Sequence, residues 1–252
     1  VLLALRLLLA PAFVVGTSLL ARRHGPRIGG MVGGLPVVGA PVLLVITLDH
    51  GEAFGADASR ATLVGLLALA AFVLAYGHAC QRFRPLPTLL LGWLAFLAVD
   101  VALSGPDVPA LAALVAACLW FAVVTVLLPD VPAGTEVHPI RSRWDLPVRA
   151  AAAATLVVLV STLSEHLGPK WSGLLAPFPI IATVLAVFTH AQHGVRDTIL
   201  VLRGLMSGYY AYALFAFVLA VWLPSLGTGG AFAMAVAASL ALQLLVVRAS
   251  RP

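Results

Sequence analysis

Nine long apolar stretches run through this chain, near 1–20, 28–48, 61–80, 86–103, 109–128, 148–165, 172–190, 199–222 and 229–247. About 20 such residues cross a bilayer as a helix. Inside hydrocarbon every backbone N–H and C=O must be satisfied within the segment, so helix is the form these stretches must take. Turn and charge punctuation closes them, as at Arg22-Arg23-His24-Gly25-Pro26, Asp49-His50-Gly51-Glu52 and Arg82-Phe83-Arg84-Pro85. With 62% apolar and only 10% charged residues, the chain has too little charge to clothe a soluble domain of its length. The expected fold is an all-α integral membrane protein of about nine transmembrane helices. The stretch 129–147, with Pro129, Pro132, Gly134 and Pro139, is expected to be a surface loop. Residues 1–20 are too long and too poorly flanked for a cleaved signal peptide.

Basic residues set the orientation. All cationic residues but Lys170 are arginine, and they sit in short loops between the apolar stretches. Alternating loops place Arg22, Arg23, Arg27, Arg82, Arg84, Arg141, Arg143, Arg149, Arg196, Arg203, Arg248 and Arg251 on one side, against Arg6, Arg60 and Lys170 on the other. The richer side is cytoplasmic by the positive-inside rule. The N-terminus is therefore expected outside and the C-terminus in the cytoplasm. The net charge of +5 reads as an orientation signal and not as a nucleic-acid face.

The chain also repeats itself. A shift of 143 positions lays Gly25, Pro26, Arg27 and Gly30 onto Gly168, Pro169, Lys170 and Gly173. It carries Pro36 onto Pro179, His50-Gly51 onto His193-Gly194, Arg60 onto Arg203, Gly65 onto Gly208 and Phe72 onto Phe215. A fixed offset means two copies of one supersecondary unit. Spans 1–4 (residues 1–104) pair with spans 6–9 (148–252), and 105–147 holds the unpaired fifth span and a cytoplasmic loop. That odd span turns the second copy upside down. Inverted repeats of this kind are the usual construction of secondary transporters.

Glycine and proline mark the second and seventh spans. The first copy has Gly29, Gly30, Gly33, Gly34, Pro36 and Pro41; the second has Gly173, Ala176, Pro177 and Pro179. Small residues four apart let helices approach closely, and proline inside a span frees a carbonyl that must find a partner or line a polar cavity. One reading is a substrate pathway between spans 2 and 7 around Gly30, Pro36, Pro41, Gly173, Pro177 and Pro179. The other is tight helix packing with ordinary kinks. The run Gly168-Pro169-Lys170-Trp171-Ser172-Gly173-Leu174-Leu175-Ala176-Pro177-Phe178-Pro179, followed by His190 and Arg203-Gly204, resembles the GlpM-like family of small bacterial membrane proteins. The resemblance implies one four-span unit per half, a fused inverted pair overall and a bacterial inner-membrane location. It also implies a link to surface polysaccharide production, and no particular chemistry. The first half departs from the pattern at Gly34-Leu35-Pro36, where the Pro-Phe-Pro of the second is absent.

Few ionisable groups fall in or near the spans. Asp100 is the carboxylate well inside one, with Gln243 as its repeat partner. It is either a functional, proton-sensitive group or a side chain reaching the interface. His50 and His193 end spans 2 and 7 and are read as caps or as proton-sensitive groups. His190, His193 and Asp197 have the spacing of metal ligands, but Thr47 and Phe54 stand in the matching places of the first half. Arg60 and Arg203 open spans 3 and 8. They either snorkel or form a gate or anion contact. Tyr209, Tyr210 and Tyr212 read as an aromatic belt. Cys80 and Cys118 suit buried thiols.

No phosphate-cradling loop, His-Glu-x-x-His pair or Gly-x-Ser-x-Gly elbow occurs. Neither enzyme activity, a cofactor nor a metal is expected. The favoured function is movement of a small or amphipathic solute through a secondary transporter or permeation pathway. The alternative is a non-catalytic scaffold or accessory component of envelope or polysaccharide biosynthesis; an intramembrane enzyme using His190 and His193 is a third. Expected partners are the lipid bilayer, the solute and, as one option, a second copy of the chain, but not nucleic acid.

Overall fold

The computed structural model describes residues 2–105, 108–132, 144–167 and 178–249. Every element among them is a helix: α1 (Leu2–His24), α2 (Pro26–Gly33), α3 (Gly39–His50), α4 (Glu52–Ala79), α5 (Pro85–Leu103), α6 (Ala110–Leu127), α7 (Asp145–Leu167) and α8 (Ile180–Ala249). Four of these, α4, α5, α6 and α8, are long and apolar enough to cross a bilayer. The chain is an all-helical membrane protein.

Single glycines replace several of the expected loops. α8 turns at Gly194 (φ 80°, ψ −169°) and Gly227 (φ 70°, ψ 170°), which divide it into arms 180–193, 195–226 and 228–249. Gly51, between α3 and α4, takes the same conformation (φ 90°, ψ 168°). A positive φ carries little cost only for glycine, so one residue suffices to end one helix and begin the next. Gly51 and Gly194 are the pair superposed by the 143-residue shift, and they share one backbone state.

The stretch 28–48 is not one helix. It opens over residues 34–38 between α2 and α3. Pro36 has no N–H to donate and its ring obstructs a continuing helix. The chain there closes with a short turn, Leu35 N–H to Val32 O at 3.0 Å. Pro41 lies in the first turn of α3, where a missing N–H costs nothing.

Contacts sort the helices into two ends of one bundle. Glu52, at the start of α4, accepts a hydrogen bond from Thr228 N–H at the second turn of α8 (3.0 Å). At the other end of α4, Gly77 packs against Leu128 and Leu202, so α4 and the middle arm of α8 run antiparallel. Arg22, near the end of α1, pairs with Asp145 at the start of α7, and these two helices are antiparallel as well. Phe72 lies against Gly92 of α5 in the main core. Its repeat counterpart Phe215 clusters with Ala235, the counterpart of Gly92.

α2 and the middle arm of α8 approach so closely that only glycine fits. A Cβ on Gly204 would stand 2.2 Å from Arg27 O, and one on Gly208 would stand 2.4 Å from Met31 O. Gly30 and Gly34 face them from α2. This is small-residue packing, where dispersion holds helices together once lipid has removed the hydrophobic drive. Elsewhere both helix faces are apolar. α6 buries Ala113, Ala117, Phe121 and Val124 and exposes Leu111, Val115, Leu119 and Val126, one face for protein and one for lipid.

Candidate functional site

A cavity of about 820 Å³ lies between the α2–α3 break and the lead into α8. One wall is the break between α2 and α3, represented by Leu35, Val38 and Gly39; another is the lead into α8, represented by Phe178, Ile181 and Ala182. The 143-residue shift superposes those two triplets. Leu66 and Leu69 of α4, and their counterparts Tyr209 and Tyr212 of α8, also line it. The described lining thus includes residues at matching positions of the 143-residue offset.

Its extension is one-sided. The cavity continues past Arg60 and Asp57 of α4 and Asp100 of α5 to the exposed residues Ser104 and Gly105. Arg203 and Gln243, the counterparts of Arg60 and Asp100, do not line it. Arg203 is instead seated at the end of α6, where Nη2 donates to Leu128 O at 3.2 Å and Pro129 O at 3.1 Å. Free carbonyls at a helix C-terminus carry partial negative charge and suit a guanidinium. Arg60 has no such seat. Its Nη1 lies 3.2 Å from Asp57 Oδ1, an exposed partner.

Asp100 shares the core-facing stripe of α5 with Gly92 and Phe96, which points it into the bundle. It is 9% exposed, and its Oδ2 is buried without a hydrogen-bond partner. Gln243 is 6% exposed, with both amide atoms unpartnered. Arg60 Nε and Arg203 Nε are also buried and unpartnered. The repeat positions 60/203 and 100/243 thus hold buried polar atoms in need of partners, which native interiors rarely tolerate without reason.

Of the pathway residues read from sequence, Pro179 lines the cavity and Pro36 is buried in the neighbouring break. Pro41 lies in α3 and Gly30 at the crossing with α8, and neither is a lining residue. Gly173 and Pro177 lie outside the described residues. His50 is exposed and stacks on Phe54 with ring centroids 4.9 Å apart. His193 buries an unpartnered Nδ1 at the opposite end of the bundle. His190 Nδ1 lies 3.4 Å from the Tyr76 hydroxyl. Among the described residues no three His, Cys, Asp or Glu side chains form a metal-holding group, so the 190, 193 and 197 spacing does not assemble into one. Cys80 is buried and Cys118 half-buried, both as free thiols.

A buried charge cluster near His193 is not apparent from spacing. Arg149 Nε donates to Asp145 at 3.0 and 3.1 Å, and its Nη2 donates to Gln192 Oε1 at 2.9 Å. Arg22 and Gln192 both donate to the same carboxylate, and the Arg149 guanidinium lies 5.1 Å from the Phe188 ring centroid. Asp145 precedes the 148–165 apolar stretch. Burial works to raise its pKa, but hydrogen bonds from Gln192 and Arg149, the charge of Arg149 and a bond from Arg22 outweigh burial and hold it below the ordinary carboxylate value. In the sequence Arg149 stands out only as one of the arginines of the richer side.

No family model, curated protein or solved structure matches this chain. Its function is therefore argued from the cavity itself.

Proposed function

We propose that this chain is a secondary transporter or permeation pathway for a small or amphipathic solute, with the cavity between spans 2 and 7 as its site. In this reading the bundle has nine spans. α2 and α3 together form the second, and the three arms of α8 form the seventh, eighth and ninth. The two four-span halves are inverted about the unpaired α6, as two fused GlpM-like units would be. The antiparallel pairings of α1 with α7, and of α4 with the middle arm of α8, support inversion. So does the sorting of contacts, since Arg22, Asp145, Gln192 and Arg203 share one end while Glu52 and Thr228 share the other. With the N-terminus outside, the cavity mouth at Asp57 and Ser104 faces outward.

One observation carries the proposal. Among the described residues the cavity is lined by Arg60 and Asp100 and not by Arg203 and Gln243, their counterparts at the 143-residue offset, so in this reading one mouth is open and an equivalent one is closed. Exchange of the two halves' conformations would close the first mouth and open the second, which is alternating access. The buried, unpartnered amide of Gln243 then has a purpose as the lining of the second mouth.

The test uses single cysteines at Thr62, which lines the cavity, and at its counterpart Leu205, which is fully buried, in a Cys-free background. Membrane-impermeant maleimide is applied to each face separately. Position 62 should label from outside and position 205, more slowly, from the cytoplasm. If position 205 never labels, or labels from the same face as 62, the cavity is a static pocket and the transport proposal fails. Cysteines at Arg27 and Lys170 test inversion separately, and only position 170 should label from outside.

A further inference from the structure

The charges of the cavity do not balance. Among the described residues that line it, one guanidinium, Arg60, stands against two carboxylates, Asp57 and Asp100. Arg60 is already engaged by Asp57 at 3.2 Å, with more than a third of its side chain exposed, so solvent screens that pair. Asp100 is left alone. It is nine-tenths buried, and Oδ2 has no hydrogen-bond partner among the described residues. A buried carboxylate without a counter-charge costs several kcal/mol, and an acid at this depth of a helix bundle is by default a ligand or ion contact. The open space beside Asp100 is the cavity, so its partner arrives from there.

The other walls say what that partner looks like. Phe178, Tyr209 and Tyr212 supply aromatic rings, and Leu35, Val38 and Val157 are apolar. Ring faces attract cations, and a volume of about 820 Å³ is typical of a drug-sized ligand site. Resting on the transport reading above, we propose that the cavity binds lipophilic organic cations: a positive centre carried in an apolar body, with Asp100 as counter-charge. A lipophilic anion of the same shape would meet the negative charge of Asp100, and Arg60, the guanidinium among the described lining residues, already faces Asp57.

Tetraphenylphosphonium and tetraphenylborate, matched in shape and opposite in charge, decide the matter. Saturable binding of each is measured by equilibrium dialysis on the full chain in lipid nanodiscs, with empty nanodiscs as the baseline. The phosphonium should bind and the borate should not rise above the baseline. Asp100→Asn should weaken phosphonium binding by at least about tenfold, whereas Asp49→Asn, at an exposed position outside the cavity, should leave it unchanged. Equal or stronger borate binding, no phosphonium binding, or a folded Asp100→Asn protein with wild-type affinity would each overturn the proposal. The two-ion comparison on the wild-type chain stands even if that variant does not fold. Phosphonium binding without flux into proteoliposomes would sustain the ligand class and remove transport. Failure of both ions to bind, with alternating labelling at positions 62 and 205, would do the reverse.

Discussion

Arg60 and Arg203 are matched by the 143-residue offset, and each faces an exposed aspartate, Asp57 or Asp130, but they differ in what else holds them. Arg60 stands at an open mouth, beside an exposed aspartate and above an unpaired Asp100. Arg203 is tied to two carbonyls at the end of α6, and its end of the bundle is further held by the Asp145 cluster. Identical residues at repeat positions therefore do not have identical roles. α6 supplies the difference by placing its C-terminal carbonyls against Arg203.

The strongest way to break this contrast is to remove the knot at the closed end. Asp145→Asn strips the shared partner from Arg22 and Arg149, and an uncompensated buried charge should cost about 3–5 kcal/mol at neutral pH. Because the folded carboxyl lies below its ordinary value, the aspartate's contribution is complete above the unfolded pKa of about 3.9. It is lost as pH falls through the lower folded value. Unfolding in mild detergent across pH should show the two proteins converging only below about pH 4. A gap that persisted in acid would remove the cluster from the account.

Glycine substitutions offer a matched pair. Gly208→Val forces side-chain atoms toward Met31 O, where even a Cβ would lie 2.4 Å away, and overpacking of this kind costs about 1–3 kcal/mol. At Gly16, an exposed position of α1 where a Cβ would meet nothing within 4 Å, the same change should cost under about 1 kcal/mol. Equal losses in thermal melts would mean that the crossing of α2 with α8 is not tight. The arginines give a similar test of smaller size. Arg203→Gln gives up its two carbonyl bonds and should lose about 1.5–3 kcal/mol, while Arg60→Gln breaks an exposed pair worth about 0–1 kcal/mol. The smallest expected effect has the opposite sign. Gln243→Leu removes a buried unpartnered amide and should stabilise the chain by about 1 kcal/mol. If the transport proposal holds, the same change should also slow cytoplasmic labelling of a cysteine at position 205.

Much of the helical architecture was legible because lipid leaves so few options. Gly51 and Gly194 marked helix turns correctly, as each ends one helix and begins another. The proline-rich stretch 28–48 announced a kink. Only the structure shows it opening into five non-helical residues, 34–38, because Pro36 follows two glycines and a tight turn was available. The stretch 199–222 was placed too short at both ends, since a one-residue glycine turn lets the helical arm run from 195 to 226. Gly30 was grouped with the pathway, and the structure puts it at the crossing with Gly204. Small residues read alike in sequence whether they make room for a ligand or for a neighbouring helix.

From the sequence alone came the solvent and a recurring spacing: long apolar stretches demand helices in lipid, and Gly, Pro, His and Arg recur at one offset. Tertiary structure alone decided which arginine borders the cavity, which is tethered to carbonyls and which buried carboxylate oxygen lacks a partner among the described residues. Those outcomes depend on where α6 ends and how closely glycine-lined helices cross. Both are matters of three-dimensional packing between segments far apart in the chain, and no local pattern encodes them.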